Sequence, residues 1–221
     1  MSRRPHRSLE EFTAYISARN WSPETVIDIG ACYGTPELLH GFPDAYHILI
    51  EPLEELRDRL ALITTKYRGE YHLCAMSDAE GHMGLSVPKA GLEGASLATT
   101  GSETARQVPV RRLDDLLGGR DLKGPILLKT DCQGFDLHAL KGAVATLRQT
   151  DLVIVEVNMF HPASNPDLPD FGEIVGWMRD QNFAVFDIVS YQTRPFDEAL
   201  GYVDLVFARN DSGFRRHHRW Q

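Results

Sequence analysis

Cysteine is scarce in this chain: three among 221 residues, Cys32, Cys74 and Cys132, with no C-x-x-C pair. That count excludes a disulfide framework and a cysteine-based zinc site, and it points to a reducing compartment such as the cytoplasm. Long apolar runs are missing too. Nothing approaches the roughly 18 apolar residues of a membrane-spanning helix. After Met1 the chain runs Ser-Arg-Arg-Pro-His-Arg into an acidic, amphipathic segment and not into an apolar leader core. Positive charge is in deficit, with Lys+Arg 23 against Asp+Glu 31 and a net charge of -8. Such a surface repels nucleic-acid backbones and anionic membranes, so neither is expected as a partner. The one basic cluster, Arg215, Arg216, His217, His218 and Arg219, is short and terminal. Internal repeats and low-complexity tracts are absent as well.

What remains is an ordinary globular composition, 43% hydrophobic and 24% charged. The length can close one sizeable core. The expected organisation is a helical segment over residues 1–22, one main domain over 23–210 and a basic tail over 211–221. Ser8-Leu-Glu-Glu11 has the form of a capping box and opens a helix over Phe12, Tyr15 and Ile16. Buried strands are expected at 25–29, 46–50, 70–76, 125–130 and 152–157. Helices are expected from Thr35 or Pro36, over 53–67 with Leu53, Leu56, Leu60 and Ile63 on one face, over 135–147 and over 171–180. The stretch 77–124 is less regular, with a hairpin expected near Gly81 and a strand at 108–110. Segments 184–189 and 203–207 read as a terminal β-hairpin. Alternating buried strands and helices mean an α/β fold, a doubly wound and mostly parallel sheet whose ligands bind beyond the carboxyl ends of the strands.

The unusual residues fall at those ends. Asp28-Ile-Gly-Ala-Cys-Tyr-Gly34 closes the first strand. Gly30 and Gly34 let the backbone turn tightly and approach a ligand, with Ala31 between them. The pattern is G-x-x-x-G, not the G-x-G-x-x-G of a pyrophosphate cradle. Asp28 suits an ammonium group, and Glu51 at the end of the second strand suits a ribose diol. That pair fits S-adenosylmethionine better than a nicotinamide dinucleotide. The plain alternative is a glycine turn flanked by two solvated acids. Asp131 ends the strand 125–130, where it would orient a substrate hydroxyl or accept its proton; its alternative is a helix N-cap.

Five segments together resemble the FkbM family of S-adenosylmethionine-dependent methyltransferases. They are Asp28 to Gly34, Glu51-Pro52, Arg112-Leu-Asp-Asp-Leu116, Leu128 to Asp136 with Leu140-Lys-Gly-Ala143, and Val155-Glu-Val157. The resemblance covers about residues 24–208. It implies a seven-stranded sheet with an antiparallel final strand, and methyl transfer to a hydroxyl of a small sugar or polyketide-like acceptor, such as a glycoside. It matches Asp28, Gly30 and Gly34 to a methionine-binding loop and Glu51 to a ribose acid. The family often has Asn where this chain has Cys32. The segment Ala75-Met-Ser-Asp78 resembles one flanking the adenine, so Asp78 is expected at its amino group, although Ser-Asp before Gly81 also suits a simple turn. Ser96 in Gly94-Ala-Ser-Leu97 falls in a segment that lies over the active site or forms a surface loop.

Glu156 sits inside the most apolar strand, where a carboxyl must be paired, hydrogen-bonded or facing the cleft, and it is a candidate substrate ligand. His161, in a proline-rich loop above the sheet, is a second candidate base beside Asp131, with a solvated surface histidine as its alternative. Asp114 and Asp115 are expected to cap a short helix. No tight carboxylate cluster is seen for Mg²⁺, so no metal is expected. Rival readings are an N- or carboxyl-directed methyltransferase on the same fold, an NAD(P)-binding protein, and a binding module without catalysis.

Overall fold

The computed structural model describes residues 7–88, 91–97, 106–161 and 167–216. Its elements run α1 (Leu9–Ser17), β1 (Thr25–Ile29), α2 (Pro36–Gly41), β2 (Tyr46–Ile50), α3 (Arg57–Lys66), β3 (Gly69–His72), β4 (Ala75–Met76), β5 (Gly81–Ser86) and β6 (Ser96–Leu97). Then follow β7 (Arg106–Arg111), α4 (Leu113–Leu116), β8 (Ile126–Thr130), α5 (Asp136–Lys141), α6 (Val144–Leu147), β9 (Leu152–Asn158), α7 (Phe171–Asp180), β10 (Phe183–Thr193) and β11 (Leu200–Arg209). The tail from His217 lies outside the described residues.

Seven strands form the main sheet in the order β10-β11-β9-β8-β1-β2-β3. All neighbours pair in parallel except β11, which runs antiparallel to both β9 and β10. The reversed strand is therefore the last one. β1 is buried at all five positions and β8 likewise, because helices cover both faces of the sheet. On one face Ile27, Leu128, Val155 and Leu205 pack with Leu140 of α5 and Met178 of α7. On the other, Val26, Leu127, Ile154 and Val206 pack with Phe12 and Ile16 of α1 and Leu38 of α2. The capping box that opens α1 is formed, Ser8 Oγ accepting from Glu11 N while Glu11 accepts from Ser8 N.

Three expected elements change. The strand 70–76 is two strands: β3 ends the main sheet, whereas β4 joins a second sheet of order β4-β7-β5-β6. The hairpin near Gly81 does not form, because β5 pairs antiparallel with β7 and β6 while β4 pairs only with β7. The helix 135–147 breaks at Gly142, where the backbone runs so close to β4 that a Cβ would meet the Ser77 carbonyl oxygen at 2.0 Å. Asp114 restarts the chain as α6, accepting from the Ala145 and Thr146 amides at 2.8 and 2.9 Å.

Candidate active site

A cleft of about 860 Å³ opens at the carboxyl ends of β1, β2, β8 and β9, within the size range of about 300–1,000 Å³ of small-molecule sites. Its narrow floor is the turn after β1. Gly30 adopts φ +75°, Cys32 +45° and Gly34 +88°, left-handed values that let the chain reverse within five residues. The Gly30 and Ala31 amides both donate to the Ile50 carbonyl, at 2.9 and 3.1 Å, tying this turn to the end of β2. Glu51 follows immediately. It is 4% exposed, and its two oxygens accept from the Cys32 and Leu53 amides at 2.9 and 3.0 Å. Burial raises its pKa, against the pull of those two donors. Each oxygen keeps lone pairs for a ligand hydroxyl. Beside it, Cys74, Ala75, Met76 and Leu97 form an apolar wall.

The turn after β8 closes the other side. Asp136 is fully buried and holds the turn, accepting from the Thr130 hydroxyl and from the Cys132 and Gly134 amides. Burial, with the Asp131 charge, pushes its pKa up to about 6. Asp131 is thereby relieved of any capping role. Its oxygens accept from Lys129 Nζ at 3.1 Å and from the Gln133 amide at 3.0 Å.

Beyond β8 the cleft is lined by polar residues on one sheet face. Asp28 on β1 is the register partner of Lys129 on β8, and Glu156 on β9, Asp204 on β11 and Ser190 on β10 continue in register with one another. Burial works against the Lys129 charge, but Asp131, Asp28 and Asp204 outweigh it and hold the ammonium above the usual lysine range. Burial, with the charges of Asp131, Asp136 and Asp204, lifts the Glu156 carboxyl far above its usual range, so it keeps its proton at neutral pH. Among the described lining residues, six carboxyl side chains, those of Glu37, Glu51, Glu93, Asp131, Glu156 and Asp204, face one cation, Lys129.

Gly30, Ala31, Gly34, Glu51, Asp131 and Glu156, all expected at a site, line this one cleft. Four others do not. Asp28 is 1% exposed and does not line the cleft; its Oδ1 lies 3.8 Å from Lys129 Nζ and has no hydrogen-bond partner among the described residues. Asp78 pairs with His138 Nδ1 at 3.3 Å outside the cleft, in the turn that follows β4 of the second sheet. Ser96 ties its loop to the Gln133 carbonyl at 3.4 Å. His161 points away from the cleft, with Nδ1 2.8 Å from the Leu168 carbonyl and Nε2 3.6 Å from Asp170. His161, Asp170 and Glu173 bring metal-ligand atoms within 4.8 Å of one another outside the cleft, where the two acids already form the capping box of α7. Sequence reasoning missed Lys129, Ser190, Tyr202 and Asp204. The available signal was a polar residue at an alternate position of an otherwise apolar strand.

The Methyltransferase FkbM domain matches residues 28–185, from the end of β1 into β10. The chain belongs to the FkbM methyltransferase family. No curated protein matches it. Among solved structures, the N-terminal domain of EvdMO1, determined in the presence of SAH and D-fucose, is similar with a TM-score of 0.51 at 10% identity, over 93% of this chain and 84% of that one. EvdMO1 itself aligns with a TM-score of 0.50 at 11% identity, over 91% of this chain. This FkbM chain spans 41% of the EvdMO1 chain. At those identities the likeness is one of fold. No helix among the described residues is long and apolar enough to cross a membrane.

Proposed function

We propose that this FkbM methyltransferase transfers a methyl group from S-adenosylmethionine to a hydroxyl of a small, sugar-like acceptor. The observation that carries the reading is the division of one cleft into two unlike ends. At the β1–β2 end, a buried Glu51 and an apolar wall of Cys74, Ala75 and Met76 suit a ribose and a flat purine. At the β8–β11 end, Asp131, Glu156, Ser190 and Asp204 offer hydrogen-bonding groups of the density a polyol needs.

The residues present fit a cationic sulfonium nucleoside. Five lining carboxyl groups besides the protonated Glu156, against one lysine, make the cleft electronegative, which favours a positive ligand and disfavours phosphate-bearing nucleic acid. Gly30 leaves room for backbone to come close where any side chain would collide. Asp28, buried 3.8 Å from Lys129 Nζ, bears on that lysine and does not line the cleft itself. When bound, S-adenosylmethionine supplies a methyl group on a positively charged sulfur. Asp131, fixed by Lys129 and Gln133, orients the acceptor. Ser8 and Leu9 at the start of α1 roof the cleft and help exclude water. The three free cysteines, all on its walls, suit a reducing compartment such as the cytoplasm.

Two measurements test this. Calorimetry with S-adenosylhomocysteine is expected to show one site per chain, lost in Glu51→Ala. Incubation with labelled S-adenosylmethionine and a panel of D-fucose, other glycosides and hydroxylated metabolites is expected to give an ether product. A methyl found on nitrogen or on a carboxyl group would replace the hydroxyl reading, and absence of binding heat would end it.

A further inference from the structure

Methylating an alcohol needs a base with a free lone pair at the acceptor end of the cleft. Asp131 is already held by two partners, the buried Lys129 ammonium at 3.1 Å and the Gln133 side-chain amide at 3.0 Å, so its charge is paired and its orientation is set from within the protein. His161 is turned away. We propose that Asp204, and not Asp131 or His161, takes the proton from the acceptor hydroxyl, while Glu156 opposite it donates a hydrogen bond. This rests on the reading of the cleft as a methyl-transfer site.

Asp204 lines the cleft from β11, the reversed strand, between its register partners Glu156 on β9 and Ser190 on β10. Ser190, its register partner on β10, lines the same cavity, and the two carboxylate oxygens offer more acceptor positions than one neighbouring hydroxyl can fill. The groups facing this end are Lys129 and Asp131 from β8, Asp136 from α5, Glu156 from β9 and Tyr202 from β11. Lys129 is committed to Asp131 and Asp28, so no cation is left over among them. Burial, with the Asp131 charge, pushes the Asp204 pKa up to about 6, against Lys129 and the Ser190 hydroxyl. A carboxylate so placed is a stronger base than an ordinary one and is still ionised at neutral pH. Glu156, raised further, remains the protonated member of the pair. In the step, the acceptor O–H bond breaks as its oxygen bonds the methyl carbon. The proton goes to Asp204, and the electron pair of the broken carbon–sulfur bond stays on sulfur.

The experiment uses the full chain, S-adenosylmethionine and the D-fucose and glycoside panel. Asp204→Asn is expected to lower kcat about 10²- to 10⁴-fold and to remove the acid limb of the kcat–pH profile. S-adenosylhomocysteine affinity should stay within about threefold. Ser190→Ala, which removes a donor to the ionised carboxylate, should move that limb to higher pH. Independently of turnover, carbon-13 NMR of the Asp204 carboxyl should show titration near 6. A variant within about threefold of wild-type kcat, an acid limb removed by Asp131→Asn instead, or an Asp204 titrating at an ordinary carboxyl value would each overturn the assignment. A wild type inactive on the whole panel overturns it together with the reading beneath it, whereas an active wild type with an unimpaired Asp204→Asn overturns it alone.

Discussion

Gly30 and the backbone of Asp131 occupy adjoining space so tightly that a Cβ on residue 30 would lie 2.0 Å from the Asp131 carbonyl oxygen. The turn after β1 and the turn after β8 are therefore one unit, joined also by the Asp131 amide donating to the Ile29 carbonyl at 3.0 Å. Whatever displaces one turn displaces both sides of the cleft they line together.

Gly30→Ala tests that coupling. The added methyl must move backbone, and alanine at φ +75° is strained as well. The two effects together cost about 2–4 kcal/mol. Thermal unfolding is expected to drop by roughly 5–15 °C, with loss of S-adenosylhomocysteine binding in calorimetry at a temperature where the variant remains folded. Binding within about threefold of wild type would show that the turns are separable.

Glu51→Gln addresses the β1–β2 end of the cleft, proposed above for the ribose. Both oxygens of Glu51 accept backbone amides, and the glutamine side chain can accept with only one end, leaving two donors facing each other at the other. Loss of a charge-assisted bond of this kind is worth about 1.5–3 kcal/mol. The dissociation constant for S-adenosylhomocysteine is expected to rise about 10- to 150-fold.

Much of this arrangement is legible in the order of the residues alone. β1, β2, β8 and β9 are buried on both faces, so each reads as a largely apolar run, interrupted by Asp28, Lys129 and Glu156 in β1, β8 and β9, and the Ser8–Glu11 box announces α1. The acids that end such strands, Glu51 and Asp131, point into the cleft by position alone. Lys129 and Asp204 are not legible in that way, because a single charged residue in an alternating strand becomes a cleft residue only once the register across β8, β9 and β11 is known. Asp78, Ser96 and His161 fail for the converse reason: they lie within a few residues of the cleft along the chain, but a sheet change at β4 and two loop bonds turn them away. The break between α5 and α6 depends on a backbone approach from Ser77, 65 residues away in sequence, which no local pattern records.

Lys129 is expected to behave as the electrostatic keystone of the polar row. Lys129→Met leaves Asp28 buried with no counter-charge, and breaking a buried pair from one side costs about 3–5 kcal/mol. Adding Asp28→Asn removes the orphaned charge, so the double variant should recover about 1–3 kcal/mol of that loss. Denaturant unfolding of the four proteins measures the coupling directly. Strict additivity would mean that Asp28 is stabilised by something other than Lys129.

The Glu156 carboxyl gives a pH dependence whose sign can be worked out in advance. Its folded-state pKa is raised from 4.5 by burial and by neighbouring carboxylates, so the folded protein holds this proton more tightly than the unfolded chain does. Stability linked to Glu156 is therefore greatest at low pH and declines as the pH rises from the unfolded value toward the folded one. Glu156→Gln keeps the shape and removes the titration. It should match the wild type near pH 4 and exceed it at pH 7.5, by roughly 2–4 °C in melting temperature for each kcal/mol released. The gap should shrink when a positively charged ligand fills the cleft, because the added cation compensates the same carboxylates. A melting-temperature difference that is flat from pH 4 to 8 would show that the folded protein holds the Glu156 proton no more tightly than the unfolded chain does.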